Sequence, residues 1–171
     1  KRYLETILNE NLLLRRINVR QAMVFESTLL SRNDVKVNKK SFLNFKDFME
    51  DYNHEMIKNV FPIGTVLNNL IVEEVKGEVS FSRQIGTYPI LAGINRKLTE
   101  MEKFNGVVVN HGSRSLTVIR KDSKLKDLSL KELSAIDTIG KKTAENYILS
   151  KNKNIFSEQT IKTLNKIKIS E

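Results

Sequence analysis

An α+β fold is predicted for the 171-residue chain: N-terminal helices, then a small, mainly antiparallel sheet, then a helical C-terminal segment. Three observations predict it. Apolar residues recur at helical spacing up to about Val60, alternate at strand spacing from Gly64 to Ile119, and return to helical spacing from Leu128.

Taken in order, Leu4, Ile7, Leu8 and Leu12 share one helical face, and Val19, Ala22, Met23 and Leu29 or Leu30 suggest a second helix within residues 1–31. Arg15, Arg16 and Arg20 cluster at their junction as a solvated surface. A turn at Asn33-Asp34 leads into a short strand, Val35 to Val37. Ser41 to Val60 is predicted as the clearest helix, with Ser41 as N-cap and Phe42, Phe45, Phe48 or Met49, Tyr52, Met56 and Ile57 as its core stripe. Pro62 ends it.

The middle reads as strands. Val66 to Val75 is rich in β-branched residues, Gly77 makes a tight connection, and in Glu78 to Ile85 the residues Val79, Phe81 and Arg83 alternate with Ser80, Ser82 and Gln84. Tyr88 to Leu91 is a short strand between Gly86 and Gly93, placed at an edge by Pro89. Arg96 to Phe104 has the pattern of a short helix. Val107 to Val109, the turn Asn110-His111-Gly112-Ser113 and Leu116 to Ile119 form a hairpin.

Composition bounds the partners. A formal net charge of +9 favours an anionic one, and the excess is concentrated late: from Gly106 onward 13 Lys and Arg face 7 Asp and Glu. The absence of cysteine excludes disulfides and thiolate zinc sites. It is consistent with an intracellular setting: cytoplasm, nucleoid or organelle interior. Apolar runs such as Val107 to Val109 are far too short for a bilayer span, and no signal-peptide pattern opens the chain, so no membrane partner is expected. Because the first residue is Lys1, the sequence is either a processed product or an excerpt of a longer chain.

From Leu128 the residue types become more specific. Ser129 and Glu132 make a capping box with Leu128 and Leu133 as its hydrophobic staple, and Leu130, Leu133 and Ile136 form the buried stripe of a helix. Asp137-Thr138-Ile139-Gly140 follows as a turn in which Gly140 accepts positive φ or a close approach. Lys141 and Lys142 open a second helix with Ala144, Tyr147 and Ile148 inside, and Phe156-Ser157-Glu158 begins a third, with Ile161 and Leu164 inside.

Leu128 to Leu164 thereby resembles a helix-hairpin-helix DNA-binding module of the competence-receptor and DNA-repair type. Thr138 departs from the family, which usually has glycine there, and the second hairpin is degenerate or truncated. The remainder of the chain resembles no family. The resemblance implies a domain plan: an α+β body at 1–120, a basic linker at 121–127 and the module at 128–171. It also implies that the first amides of a helix, around Thr138, Ile139, Gly140, Lys141 and Lys142, hold one phosphodiester, either directly or through a monovalent or magnesium cation. No other cofactor is expected. Arg114, Arg120, Lys121 and Lys124 extend the basic path.

The function this predicts is sequence-independent nucleic-acid binding, with duplex DNA favoured, by a non-catalytic subunit or accessory part of a DNA-processing assembly that includes other protein chains. Two alternatives stay open. One is a metal-dependent nuclease, for which Glu74-Val75-Lys76 with Asp47 or Asp51 supplies a permissive carboxylate pattern. The other is a structural RNA- or protein-binding subunit of a ribosome-like or polymerase-like particle. His54 has no evident partner, and His111-Gly112-Ser113-Arg114 gathers a base, a hydroxyl and a guanidinium in one turn. No Walker A loop, dinucleotide fingerprint or nucleophile elbow is present.

Overall fold

Two units divide the chain, residues 1–60 and 61–171; the computed structural model describes residues 2–10, 12, 16–21, 25–26, 29–32 and 38–169. The first unit holds α1 (Arg2–Asn9), α2 (Leu29–Arg32) and α3 (Lys39–Val60). Leu4, Ile7 and Leu8 of α1 pack with Met49, Tyr52 and Met56 of α3.

Ile17 and Val19 join this core without forming the predicted second helix, because residues 16–21 are not helical. The Asn53 carboxamide donates to the Ile17 carbonyl and accepts its N–H, both at 2.8 Å, so the backbone bonds a side chain instead of its own next turn. Ala22 and Met23, and the turn and strand expected over 33–37, lie outside the described residues. Helix α3 starts before Ser41, since Asn38 accepts the Ser41 N–H at 3.0 Å and takes the capping role.

The second unit is built on five strands: β1 (Val66–Lys76), β2 (Val79–Arg83), β3 (Leu91–Ile94), β4 (Lys103–His111) and β5 (Ser115–Arg120). They close into a barrel in the order β1-β2-β3-β5-β4, in which β3 and β5 are parallel and every other pair is antiparallel. Strand β1 makes closure possible. Its register shifts between Leu67 and Leu70 and again between Val72 and Glu74, so it bends to serve β4 with one half and β2 with the other. Inside, the barrel is so narrow that a Cβ on Gly106 would lie 2.8 Å from Leu70 Cδ1 and 3.2 Å from Val118 Cβ. Ser80 and Ser82 are fully buried; Ser82 donates to the Ala92 carbonyl, and Ser80 donates to the Arg96 carbonyl while accepting the Leu98 N–H.

After the barrel come a 3₁₀ turn (Leu125–Asp127), α4 (Leu130–Ala135), α5 (Lys141–Ser150), a second 3₁₀ turn (Lys153–Ile155) and α6 (Glu158–Ile167). The capping box at Ser129 and Glu132 forms as expected. These helices share one core with the barrel: Val107, Val109 and Ile119 turn outward from β4 and β5 to meet Leu133, Ile139 and Tyr147. That double burial explains the apolar run Val107 to Val109.

The predicted fold class is therefore corrected. The sheet is a closed barrel, and the C-terminal helices complete its core where an appended helix-hairpin-helix module was expected. The segment 121–127 places Leu125 in that core, and the Lys121 N–H bonds the Asn105 carbonyl at 2.9 Å. Two smaller expectations change with closure. The short helix over Arg96 to Phe104 is absent, its first part being turns and its end β4; and β3, shifted to Leu91–Ile94, is flanked on both sides, leaving Pro89 before the strand.

Candidate nucleic-acid interface

The strand order, with β3 parallel to β5, is that of a five-stranded Greek-key barrel of the OB type. Barrels of this type bind oligonucleotides and oligosaccharides on the β2–β3 face and the β1–β2 and β4–β5 loops. Fold alone assigns no function, so the residues on that face decide what it can hold.

Strand β2 is inverted relative to the usual pattern: its serines point in, and Val79, Phe81 and Arg83 point out, each partly buried. The outward Phe81 pairs across to Gly93 of β3, and a Cβ there would sit 3.7 Å from the Phe81 ring. The ring thus lies along the barrel wall over Gly93, at a distance where even a Cβ would make ordinary contact. Lys76 Nζ stands 5.9 Å from the ring centroid and also pairs with Glu74 at 3.0 Å. Arg83 pairs with Glu73. The tight connection at Gly77, with φ of +60°, brings β1 directly back as β2. At the β4–β5 turn Ser113 and Arg114 are exposed, and the Gly112 N–H closes the turn on the Ser115 carbonyl at 2.8 Å. An aromatic ring with cations beside it can stack a base and attract its phosphates; here each cation is shared with a glutamate, Lys76 with Glu74 and Arg83 with Glu73, and Glu74 stands opposite Phe81 in the strand register.

The residues expected to grip phosphate do not gather in one place. Arg114 stands at the start of β5 and Arg120 at its end, about 20 Å apart for a six-residue strand. Arg120 donates to Glu102 at 2.8 Å and lies 5.8 Å from the Phe104 centroid, so its charge is partly committed. Lys121 is exposed beyond it, and Lys124 precedes the first 3₁₀ turn.

The α4–α5 turn is tied to the other end of β4 by the Asp137 N–H on the Val109 carbonyl and by Asn110 on the Ala135 carbonyl. Within it Ile139 is buried and its N–H bonds Ile136, so it offers no amide. Gly140 is the α5 N-cap with an ordinary φ of −74°, and the left-handed residue is Thr138 at +76°. The Thr138 carbonyl accepts from Thr160 at 3.2 Å, while its buried hydroxyl has no partner among the described residues. Lys141 and Lys142 are exposed, Lys141 Nζ lying 3.9 Å from Glu145.

His111 is held by its Nε2 against the Phe61 carbonyl at 2.6 Å, which separates its ring role from that of Arg114. Among the described residues no group of three or more His, Asp or Glu could hold a metal ion. Glu74 is engaged with Lys76, and Asp47 and Asp51 belong to the first unit. No helix among the described residues is long and apolar enough to cross a membrane.

Sequence reasoning missed the barrel face because alternation alone does not say which face is inward. The usable signal was Ser80 and Ser82 beside Phe81: two small hydroxyls fit a narrow barrel that a phenyl ring would overfill.

No family model matches the chain, and no solved structure matches it. It is similar to an uncharacterized protein of Archaeoglobus fulgidus, 35% identical over 151 residues that make up 86% of this chain and 28% of the relative. It is also similar to an uncharacterized protein of Methanocaldococcus jannaschii, 38% identical over 131 residues, 72% of this chain and 24% of the relative. The chain thus spans about a quarter of the length of these relatives.

Proposed function

We propose that the second unit binds nucleic acid without reading sequence, on the outer β2–β3 face of the barrel, as a non-catalytic part of a larger intracellular nucleic-acid-processing protein or assembly. The observation that carries this is Phe81, turned out of the barrel against Gly93 with Lys76 and Arg83 beside it. Phe81 is partly buried, and a stacked base would cover the part of its ring that still faces water. The net charge of +9 supplies a field that draws a polyanion.

An aromatic platform of this kind suits an unpaired strand, because bases in a duplex already stack on each other. The duplex preference expected from the C-terminal resemblance therefore gives way to a single-strand preference. The test is a salt series of affinity for labelled single-stranded and duplex DNA and RNA. Phe81→Ala is expected to weaken single-strand binding by roughly 1–3 kcal/mol with the salt slope kept, since it removes a stacked base. Arg114→Ala is expected to reduce the slope by about 1. Affinity unchanged by Phe81→Ala would sink the reading.

A further inference from the structure

On the outer wall beside Phe81 and Arg83 lies a second feature, a groove of about 510 Å³ lined by Asn68, Asn69, Ile71, Gln84, Ile85 and Lys103. It exists because β1 bulges there. The register shift between Leu67 and Leu70 turns Asn68 and Asn69 both to solvent, and Asn69 takes a left-handed φ of +55° with its N–H held by Asn105 Oδ1 at 2.9 Å. Gln84 is oriented by its Nε2, which donates to the Asn68 carbonyl at 2.7 Å. Ile71 sits on the strand between Arg83 and Lys103, its partners on either side.

The chemistry of this lining is specific. Three carboxamides converge, and the side-chain amides of Asn68 and Asn69, the Gln84 carbonyl oxygen and Lys103 have no partner among the described residues. Ile85 is 87% exposed, an unusual position for a large aliphatic side chain, and with Ile71 it supplies the apolar part of the wall. The lining holds one cation and no carboxylate. A ligand for it is planar or apolar on its faces, carries both donors and acceptors on its edge, and bears negative charge. A nucleobase with its phosphate has those properties: Asn68 and Asn69 each offer an acceptor oxygen and two donors, and Gln84 its oxygen and the remaining N–H, the complement of a base edge. A neutral sugar would leave Lys103 without a counter-charge. The volume falls within the about 300–1,000 Å³ of small-molecule sites.

We infer that this groove takes one unpaired base of a strand bound on the β2–β3 face, with Lys103 on the adjoining phosphate. The inference rests on the proposed interface, and it adds selection of unpaired over paired bases, since the Watson–Crick edge is free only when a base is unpaired.

The side-chain amide NMR signals of Asn68, Asn69 and Gln84 report the groove directly. They are followed in the full chain during titration with a single-stranded oligonucleotide, the common ribonucleoside 5′-monophosphates, an uncharged nucleoside and maltose. All three signals shift with oligonucleotide and monophosphates. Lys103→Ala weakens the monophosphates roughly 2- to 5-fold and leaves the nucleoside unchanged, as removal of one exposed charge contact does. Groove signals that stay still while the oligonucleotide binds in a Phe81-dependent manner overturn the groove and leave the interface standing. Shifts caused by maltose but not by nucleotides also overturn it. Absence of any oligonucleotide binding overturns the interface, and the groove with it.

Discussion

Glu132 offers the sharpest test of how the second unit is held together. It is 1% exposed on α4, and its carboxylate accepts the Ser129 N–H at 3.0 Å, the Ser129 hydroxyl at 2.9 Å and Arg96 Nη2 at 3.1 Å. Arg96 Nε stands 2.8 Å from the other oxygen, close enough for an ion pair but outside hydrogen-bond alignment. Arg96 lies on the β3–β4 connection, whose carbonyl also receives Ser80 from inside the barrel. Removing one partner of a buried pair costs about 3–5 kcal/mol, and the capping box contributes about 1 kcal/mol. Arg96 is 34% exposed and rehydrates when abandoned, which places Glu132→Ala near the lower end, about 3 kcal/mol. For a chain of this length that is a fall in Tm of roughly 6–12 °C. Arg96→Ala is expected to cost at least as much, because it strands the carboxylate that cannot reach water. Amide hydrogen exchange is the assay that matters. Since the pair bridges barrel and helices, Val72 and Val108 should lose protection together with Leu133 and Ala144. Loss confined to α4–α6, with barrel amides unmoved, would refute the shared core.

Other outcomes follow from single residues. Thr138→Gly should raise stability by about 1 kcal/mol in urea unfolding, because a β-branched residue at φ of +76° and a buried, unpartnered hydroxyl are both relieved, offset in part by glycine entropy. Gly106→Ala should cost about 1–3 kcal/mol by the same measurement, as its methyl would press on Leu70 and Val118. Tyr52→Phe should be neutral or slightly stabilising, since the buried phenol has no hydrogen-bond partner among the described residues; burial, then Tyr3, raises its pKa. The Thr99 N–H, opposed by burial and helped by Arg120, holds the Glu102 carboxyl below its usual range. A depressed folded pKa contributes stability above the unfolded value of about 4.3 that is lost as pH falls through the folded value, so Glu102→Gln should flatten the acid limb of a stability–pH curve.

Local signals carried much of the fold. The capping box at Ser129, the hairpin around Gly112 and the strands on either side of Gly77 all depend on neighbours in sequence, and they form where their residues predict. What local pattern could not carry was closure. The parallel pairing of Leu91 with Ser115 and the double bulge of β1 join residues far apart in the chain, and alternation on β2 is symmetric between its faces. The proposed site likewise lies apart from the one the C-terminal resemblance implied. A resemblance spanning α4 to α6 pointed at the α5 N-terminus, whereas Ile139 there is spent on the core and the outward aromatic, Phe81, sits in a strand whose serines mark the interior.

The proposed role of the outer β2–β3 wall is to hold an unpaired strand. Ultraviolet cross-linking of a single-stranded oligonucleotide to the full chain, with the attached peptides identified by mass spectrometry, tests it most directly. Cross-links are expected in 73–85 and 91–93, centred on Phe81 and suppressed by competing single strand. Cross-links confined to the first unit or to α4–α6, with the wall untouched, would contradict it.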